Sequence, residues 1–468
     1  MIQNKQDHEN LARNFAGKLL LRQEIPLSEP HFSQAISQNL FRPTPPFSKK
    51  AFNLQCNRCG NNAKHLLAEY PCSVCGTSHL YCRKCITMGR VSACNKLYEW
   101  TGPAPNWEHY VAPCSWEGTL TEGQQQAADR IATAVKNRER EFLTWAVCGA
   151  GKTEMLFPAI TAALQQGKRI CLATPRADVV RELKPRIQKA FEKVPVQALY
   201  GGSQDKEGSS QLLLATTHQL LRFKQAFDVM IIDEIDAFPF HADSSLSYAA
   251  QRAIHPGSTL IYLTATPRKQ HIRRIRNKRL PHIFVPKRFH GHPLPVPTLK
   301  QVSQLKRHLR NKQLPPAFYK WLQARKQPKR QILVFVPTIA LAEQFLTPVV
   351  NLLLDQHLIT STQQASAVHA ADADREEKVQ FFRNQSLFLL LTTTILERGV
   401  TFPSVDVVIL DAGHSVFDQA AIVQIAGRAG RSPDDPEGEV VLFHDGKTNA
   451  MVEAVDSIKQ MNKRGGFV

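Results

Sequence analysis

The chain has 468 residues, 43% of them apolar, and a formal net charge of +19. That length exceeds what one hydrophobic core organises and points to about three domains. No apolar run approaches the roughly 18 residues of a spanning helix, and the polar start MIQNKQDHEN lacks the apolar stretch of a secretory leader; a cytosolic protein, at most peripheral at the inner face of the cell membrane, is expected.

Residues 1–50 are polar and end in the Pro-rich FRPTPPFSKK, which reads as an arm or tail. A cysteine-rich segment follows over 51–110, with C-x-x-C pairs at Cys56/Cys59, Cys72/Cys75 and Cys82/Cys85. A redox pair normally opens a helix beside a βαβ unit, whereas these lie in polar, Gly-containing turns. A disulfide framework belongs to small secreted chains. Zinc held by four thiolates needs two pairs folded together, and intervals of 12 or 22 residues between pairs allow it. So small a module with few apolar anchors would need the metal to fold. Zinc bound by four of the six paired cysteines is therefore expected. Cys94, Cys114, Cys148 and Cys171 lack paired spacing and read as ordinary thiols.

From residue 116 to 285, the bounded apolar runs EFLTWAV, RICLAT, LLLAT, DVMIID and STLIYLT alternate with helical patterns, as buried parallel strands with crossover helices do. The first run leads into AVCGAGKT (146–153), a phosphate loop with Ala146 at its first glycine position. Gly149, Ala150 and Gly151 would turn backbone N–H groups toward phosphate, Lys152 would reach the β- and γ-phosphates, and Thr153 would ligate Mg²⁺. Pro158 is unexpected within the helix that follows. DVMIIDEID ends a strand on Asp233 and Glu234, suited to hold Mg²⁺ and to take the proton of an attacking water.

Between Arg268 and Arg330 stand 19 basic residues and no Asp or Glu, so the rest of the chain is balanced. A one-sign field of this kind favours a polyanion, foremost nucleic acid. A second α/β domain (298–468) is read from QILVFVPT, SLFLLLTTT, VDVVILDAG and EVVLFHD. In QIAGRAGR (424–431), Gln424, Arg428 and Arg431 have the spacing of one helix face, from which arginines would neutralise a transferring phosphoryl group.

Together these motifs resemble the superfamily-2 helicases and translocases over about 350 residues. LTEGQ (120–124) resembles the adenine-contacting motif and implies Gln124 as its reader. TPR (174–176), TTH (216–218), TAT (264–266), FVPT (335–338) and TTTILERGVTFP (392–403) resemble further motor motifs. The box reads DEID, and Thr394 stands where RNA-acting members carry Asp, which turns the expectation toward DNA. The resemblance implies two tandem RecA-like domains, parallel sheets with helices on both faces, that close on ATP and pass a strand over Thr174, Arg176, Thr216, Thr217, Thr393 and Thr394.

With the upstream cysteines, C-x-R-C-G and YCRKCITMGR narrow the resemblance to the ComFA family of late competence DNA-uptake ATPases. That implies an ATP-dependent motor on single-stranded DNA, with ATP, Mg²⁺ (Thr153, Asp233) and Zn²⁺. Its partners would be competence proteins: a membrane channel, a ComFC-type partner and a DNA-processing protein. The family pattern implies Cys56, Cys59, Cys82 and Cys85 as the zinc set. A primosomal restart or repair helicase shares motor and zinc but places its cysteines in the second lobe. A nonenzymatic DNA-binding scaffold would not need Lys152, Glu234, Arg428 and Arg431 together.

Overall fold

The computed structural model describes residues 5–50, 53–73 and 75–467. The described residues form two compact units, one drawn from residues 5–145 and 152–284, the other from 146–151 and 285–467.

The first unit begins with the helices Lys5–Phe15 and Glu29–Ser37 and strands β1 (Leu19–Leu21) and β2 (Phe41–Thr44). Hairpins β3 (Phe47–Lys50)/β4 (Asn53–Cys56) and β5 (Leu67–Pro71)/β6 (Ser78–Cys82) follow, and β7 (Leu97–Trp100) inserts antiparallel between β1 and β2. Residues expected as a loose arm thus build a small core. Phe15, Leu20, Ile25, Phe32, Leu40 and Phe41 pack with Tyr98 and Trp100, the Phe41 ring 5.3 Å from that of Trp100. The polar composition hid this because the apolar residues are spread over two short helices and short strands rather than gathered in one run.

The main sheet of this unit comprises β8 (Glu141–Ala146), β9 (Ile170–Thr174), β10 (Val196–Leu199), β11 (Leu212–Thr216), β12 (Phe227–Ile232), β13 (Ile254–Thr264) and β14 (His282–Val285), in the order β10-β11-β9-β12-β13-β8-β14. Every pairing from β10 to β8 is parallel. Its central strands are buried along their length, as a parallel sheet covered on both faces requires. The cysteine-rich module lies on this domain: Cys56, Cys59, Cys82 and Cys85 belong to one apolar cluster with Leu221, Phe223, Phe227 and Leu246. Arg252 on the helix Ser244–Ala253 donates to the Asn57 carbonyl at 2.9 Å, and Lys84 pairs with Asp243 at 2.6 Å.

The second unit holds a wholly parallel sheet of β15 (Thr298–Gln301), β16 (Gln331–Phe335), β17 (Ala365–Val368), β18 (Leu389–Thr392), β19 (Val405–Leu410) and β20 (Val440–His444), ordered β15-β20-β19-β16-β18-β17. The expected fold class, two parallel α/β domains behind a small cysteine module, is what the chain adopts. Among the described residues no helix is long and apolar enough to cross a membrane.

Part of the basic stretch is spent inside this fold. Arg325 and Arg330 converge on Asp406, whose side chain is 1% exposed, and Arg330 also pairs with Asp435. Arg288 is buried and donates to the carbonyls of Ala429 and Gly430. The remaining field is carried by residues such as Lys269, Arg273, Arg276, Lys278 and Arg279, all exposed.

Candidate nucleotide, metal and nucleic-acid sites

The phosphate loop leaves β8 with Gly149 at φ 79° and Gly151 at φ 69°, left-handed values that glycine adopts without a Cβ penalty. Thr153 then precedes a 3₁₀ turn, Glu154–Leu156, and the α-helix starts only at Phe157. Pro158 therefore falls in the first turn, where its missing N–H costs nothing, and the expected conflict disappears.

Asp233 and Glu234 follow the last residue of β12. The Asp233 N–H donates to the Ala173 carbonyl, and its Oδ1 accepts from the Glu234 N–H at 2.8 Å. Burial pushes the Asp233 carboxyl up to about 6; the Lys152 ammonium opposes this and the Glu234 carboxylate adds to it. Glu234 itself sits at φ 55°, a conformation that costs a non-glycine residue about 1 kcal/mol.

Asp236 is the last residue of DEID. It is buried and accepts from the Thr264 hydroxyl at 2.5 Å and the Thr266 hydroxyl at 2.6 Å, while Arg268 donates to its carbonyl. The carboxylate thus ties the turn carrying Glu234 to TAT. An Asp three residues after another, with two threonines at the end of the neighbouring strand β13, was the signal available in sequence.

Gln124 stands at the third position of the helix Glu122–Lys136, and its Oε1 accepts from the Thr121 N–H at 2.8 Å in a capping box. In the second unit the helix Gln419–Ala426 ends before the arginines, so the expectation that Gln424, Arg428 and Arg431 share a helical face does not hold. Gly427 and Gly430, the latter at φ 59°, stop the helix and turn the chain. Gln424 is buried and accepts from the Cys148 thiol at 3.1 Å. Arg428 is buried and makes two hydrogen bonds to the Glu397 carbonyl, at 3.0 and 2.7 Å. Arg431 is half-buried and donates to the Gly427 carbonyl and the Thr401 hydroxyl. Arg428 therefore fastens the arginine turn to the segment after β18 that carries Thr393 and Thr394.

Of the expected strand-contacting residues, Arg176, Thr393 and Thr394 are half-exposed. Thr174 and Thr217 are 0% exposed and Thr216 is nearly so. The hydroxyls of Thr174 and Thr217 are buried at the ends of β9 and β11.

The thiols of Cys56, Cys59, Cys82 and Cys85 lie within 4.8 Å of one another and are all buried. Cys59 Sγ is 3.5 Å from Cys82 Sγ, and Cys56 Sγ is 3.8 Å from Cys85 Sγ. Hydrogen bonds from Cys56, Cys59 and Cys85 hold the Cys82 thiol far below the ordinary thiol range. The Asn61 amide donates toward the same sulfur at 3.7 Å, and the Arg252 guanidinium lies close enough to interact with Cys56 and Cys59. Four buried sulfurs with a cation and an N–H donor nearby fit a tetrahedral thiolate site for zinc. Cys94, expected as an ordinary thiol, instead lies within 4.8 Å of Cys72 and Cys75; its partner pair is brought to it by the fold and not by spacing.

Comparison with known proteins agrees with this division. Residues 4–99 match the model of the competence protein ComFA N-terminal domain. Residues 117–269 match the type III restriction enzyme res subunit, and 313–433 the helicase conserved C-terminal domain. The chain is 43% identical over 461 residues to competence protein ComFA of Bacillus subtilis (strain 168), covering 98% of this chain and 96% of that protein. To competence protein ComFA of Streptococcus pneumoniae (strain ATCC BAA-255 / R6) it is 33% identical over 454 residues, covering 97% and 99%. Among solved structures, S. cerevisiae Dbp5 bound to RNA and ADP BeF3 matches with TM-score 0.50 and 16% identity, over 75% of this chain and 92% of that one, a likeness of fold. With two relatives matched along nearly their whole length and the amino-terminal model matched as well, the chain belongs to the ComFA family of competence proteins, with superfamily-2 helicase domains of ATP-binding fold.

Proposed function

We propose that this protein is an ATP-hydrolysing motor that moves single-stranded DNA into the cytosol during competence, working at the inner face of the membrane with the uptake channel, a ComFC-type partner and a DNA-processing protein. The observation that carries the ATPase reading is the set on the first α/β domain: Lys152 and Thr153 after a twin-glycine turn, with Asp233 and strained Glu234 at the end of β12. The near-complete likeness to ComFA proteins supports the DNA-uptake role.

In this reading Gln124 orients the adenine and backbone N–H groups of 149–151 receive the phosphates. Lys152 neutralises charge on the β- and γ-phosphates. Mg²⁺ on Thr153 and Asp233 would offset the charge that develops in phosphoryl transfer. Glu234 accepts the proton of the attacking water. Arg431, half-exposed, answers the phosphoryl charge, while Arg428 carries that state to the Thr393–Thr394 segment through the Glu397 carbonyl. Arg176, Thr393 and Thr394 touch the DNA backbone without reading sequence. Zinc on Cys56, Cys59, Cys82 and Cys85 holds the module folded against the first sheet.

ATP turnover measured without nucleic acid and with single-stranded DNA, duplex DNA or RNA tests this. Single-stranded DNA is expected to stimulate most, and Lys152→Ala to abolish turnover. Stimulation by RNA alone would overturn the DNA reading, and a Lys152→Ala protein with intact DNA-stimulated turnover would overturn the nucleotide site.

A further inference from the structure

We propose a second zinc site in the amino-terminal module, held by the thiolates of Cys72, Cys75 and Cys94. It is separate in space and in ligands from the tetracysteine group. Cys94 Sγ lies 3.7 Å from both Cys72 Sγ and Cys75 Sγ. Thiolates around tetrahedral zinc, at a Zn–S distance of about 2.3 Å, stand about 3.8 Å apart; a disulfide holds its sulfurs at about 2.05 Å. His79 Nε2 is 2.9 Å from Cys75 Sγ and 3.0 Å from the Thr77 hydroxyl. The three sulfurs supply three of the four positions of tetrahedral zinc, and His79 stands beside Cys75 outside that group.

The main chain supplies an independent argument. In the tetracysteine group, the turn C-N-R-C-G is closed by the Gly60 N–H donating to the Cys56 carbonyl at 2.8 Å and the Cys56 N–H to the Asn61 carbonyl at 2.9 Å, with Gly60 at φ 75°. The turn C-S-V-C-G repeats every element. The Gly76 N–H donates to the Cys72 carbonyl at 2.9 Å, the Cys72 N–H to the Thr77 carbonyl at 3.0 Å, and Gly76 has φ 73°. Such a turn aims both sulfurs to one side. In one case they meet Cys82 and Cys85; in the other they meet Cys94.

Cys94 is delivered by the segment after the 3₁₀ turn Arg83–Met88, which runs back along the hairpin: Ser92 bridges Tyr81, and the Ala93 N–H donates to the Leu80 carbonyl at 2.8 Å. The apolar core does not account for the convergence. Pro71, Ser73 and residues 75–78 at the hairpin tip are exposed, Cys75 among them. A two-stranded hairpin is marginal in water by itself, and a thiol cluster with Cys75 exposed invites oxidation. A metal crosslink between tip and return segment resolves both, at the cost of displacing the thiol protons. The site is more open than the tetracysteine group and releases its metal first.

Zinc in the reduced, full-length protein, measured by mass spectrometry against quantitative amino-acid analysis, tests this. About two zinc ions per chain are expected, falling to about one in Cys94→Ser and in Cys72→Ser, with the remaining ion retained on Cys56, Cys59, Cys82 and Cys85. With Co²⁺ in place of zinc, the difference between wild type and Cys94→Ser should carry sulfur-to-cobalt charge-transfer bands. One zinc per chain, unchanged in Cys94→Ser and lost in Cys82→Ser, would overturn the second site and leave the first standing. One zinc lost in Cys94→Ser but kept in Cys82→Ser would sustain the second site and sink the first. A wild-type mass lower by two hydrogens, with Cys72 or Cys75 linked to Cys94, would also overturn it.

Discussion

Asp406→Asn is the sharpest test of how the basic stretch is used. The Asp406 carboxylate accepts from Arg325 Nε at 2.9 Å, Arg330 Nη1 at 3.1 Å and the Glu439 N–H at 2.9 Å, and pairs with Arg325 Nη2 at 2.7 Å. Burial lowers the pKa of the Arg325 guanidinium, and Asp406 pushes the other way. Asparagine has the same shape but turns an –NH₂ toward one pair of these donors. It also leaves Arg325 without the carboxylate that offsets its charge, whereas Arg330 keeps Asp435. Breaking a buried pair from one side costs about 3–5 kcal/mol.

Asp406 lies on β19 and faces Ile332 of β16 in register, so the loss should be read in those strands. Amide hydrogen exchange of peptides covering 331–335 and 405–410 is expected to quicken by about 10²-fold to several 10³-fold. The double variant Arg325→Met/Asp406→Leu removes the charge with its partner and should restore most of the protection. A rise of less than about threefold in Asp406→Asn would refute the reasoning, because the pair would then be worth no more than an exposed one.

The exposed cations give the complementary result. Arg273→Ala/Arg276→Ala/Lys278→Ala should flatten the salt dependence of single-stranded DNA affinity, by about 0.7 in log–log slope for each phosphate contact removed; parallel plots would remove the helix Lys269–Arg276 and the turn after it from the DNA path. For Asp233 the folded pKa is raised to about 6, so the buried carboxyl favours the folded state once protonated and that contribution fades as pH rises through about 6. Mg²⁺ needs the carboxylate, so half-saturating Mg²⁺ for ATP turnover should be higher at about pH 5.5 than at about pH 7.5; equal values would contradict the burial argument. Glu234→Gly should leave the thermal midpoint unchanged or raise it, by relief of about 1 kcal/mol of left-handed strain, while turnover is lost; a lowered midpoint would show that Glu234 contributes contacts worth more than its strain.

What the sequence made legible follows from burial. β8, β9, β11, β12, β13, β16, β18, β19 and β20 each appear as an apolar run. β10, β14, β15 and β17 do not, and these are the edges of the two sheets. An edge strand of a parallel sheet is covered incompletely: β15 has no buried residue, and β14 has Val285 alone. The run that marks a central strand is therefore missing where the fold does not require it. The same holds for charge. Counting cations along 268–330 sees one field, but a guanidinium that donates to Ala429 and Gly430 carbonyls is spelled like one that faces solvent.

The sites divide along the same line. Residues whose chemistry acts through neighbours in the chain were readable: the glycines of the phosphate loop, Lys152, Asp233, Glu234 and the C-x-x-C turns. Those whose partner is brought from elsewhere were not. Asp236 needs β13 beside β12 before Thr264 and Thr266 reach it. The arginine turn needs Arg288 from 142 residues away to hold its carbonyls. Cys94 needs β6 to pair with its own return segment before it meets Cys72 and Cys75. Spacing specifies a ligand pair only when both members sit on one turn. A lone cysteine acquires its meaning from the topology, and the repeated hydrogen bonds of the two C-x-x-C-G turns are what give it one here.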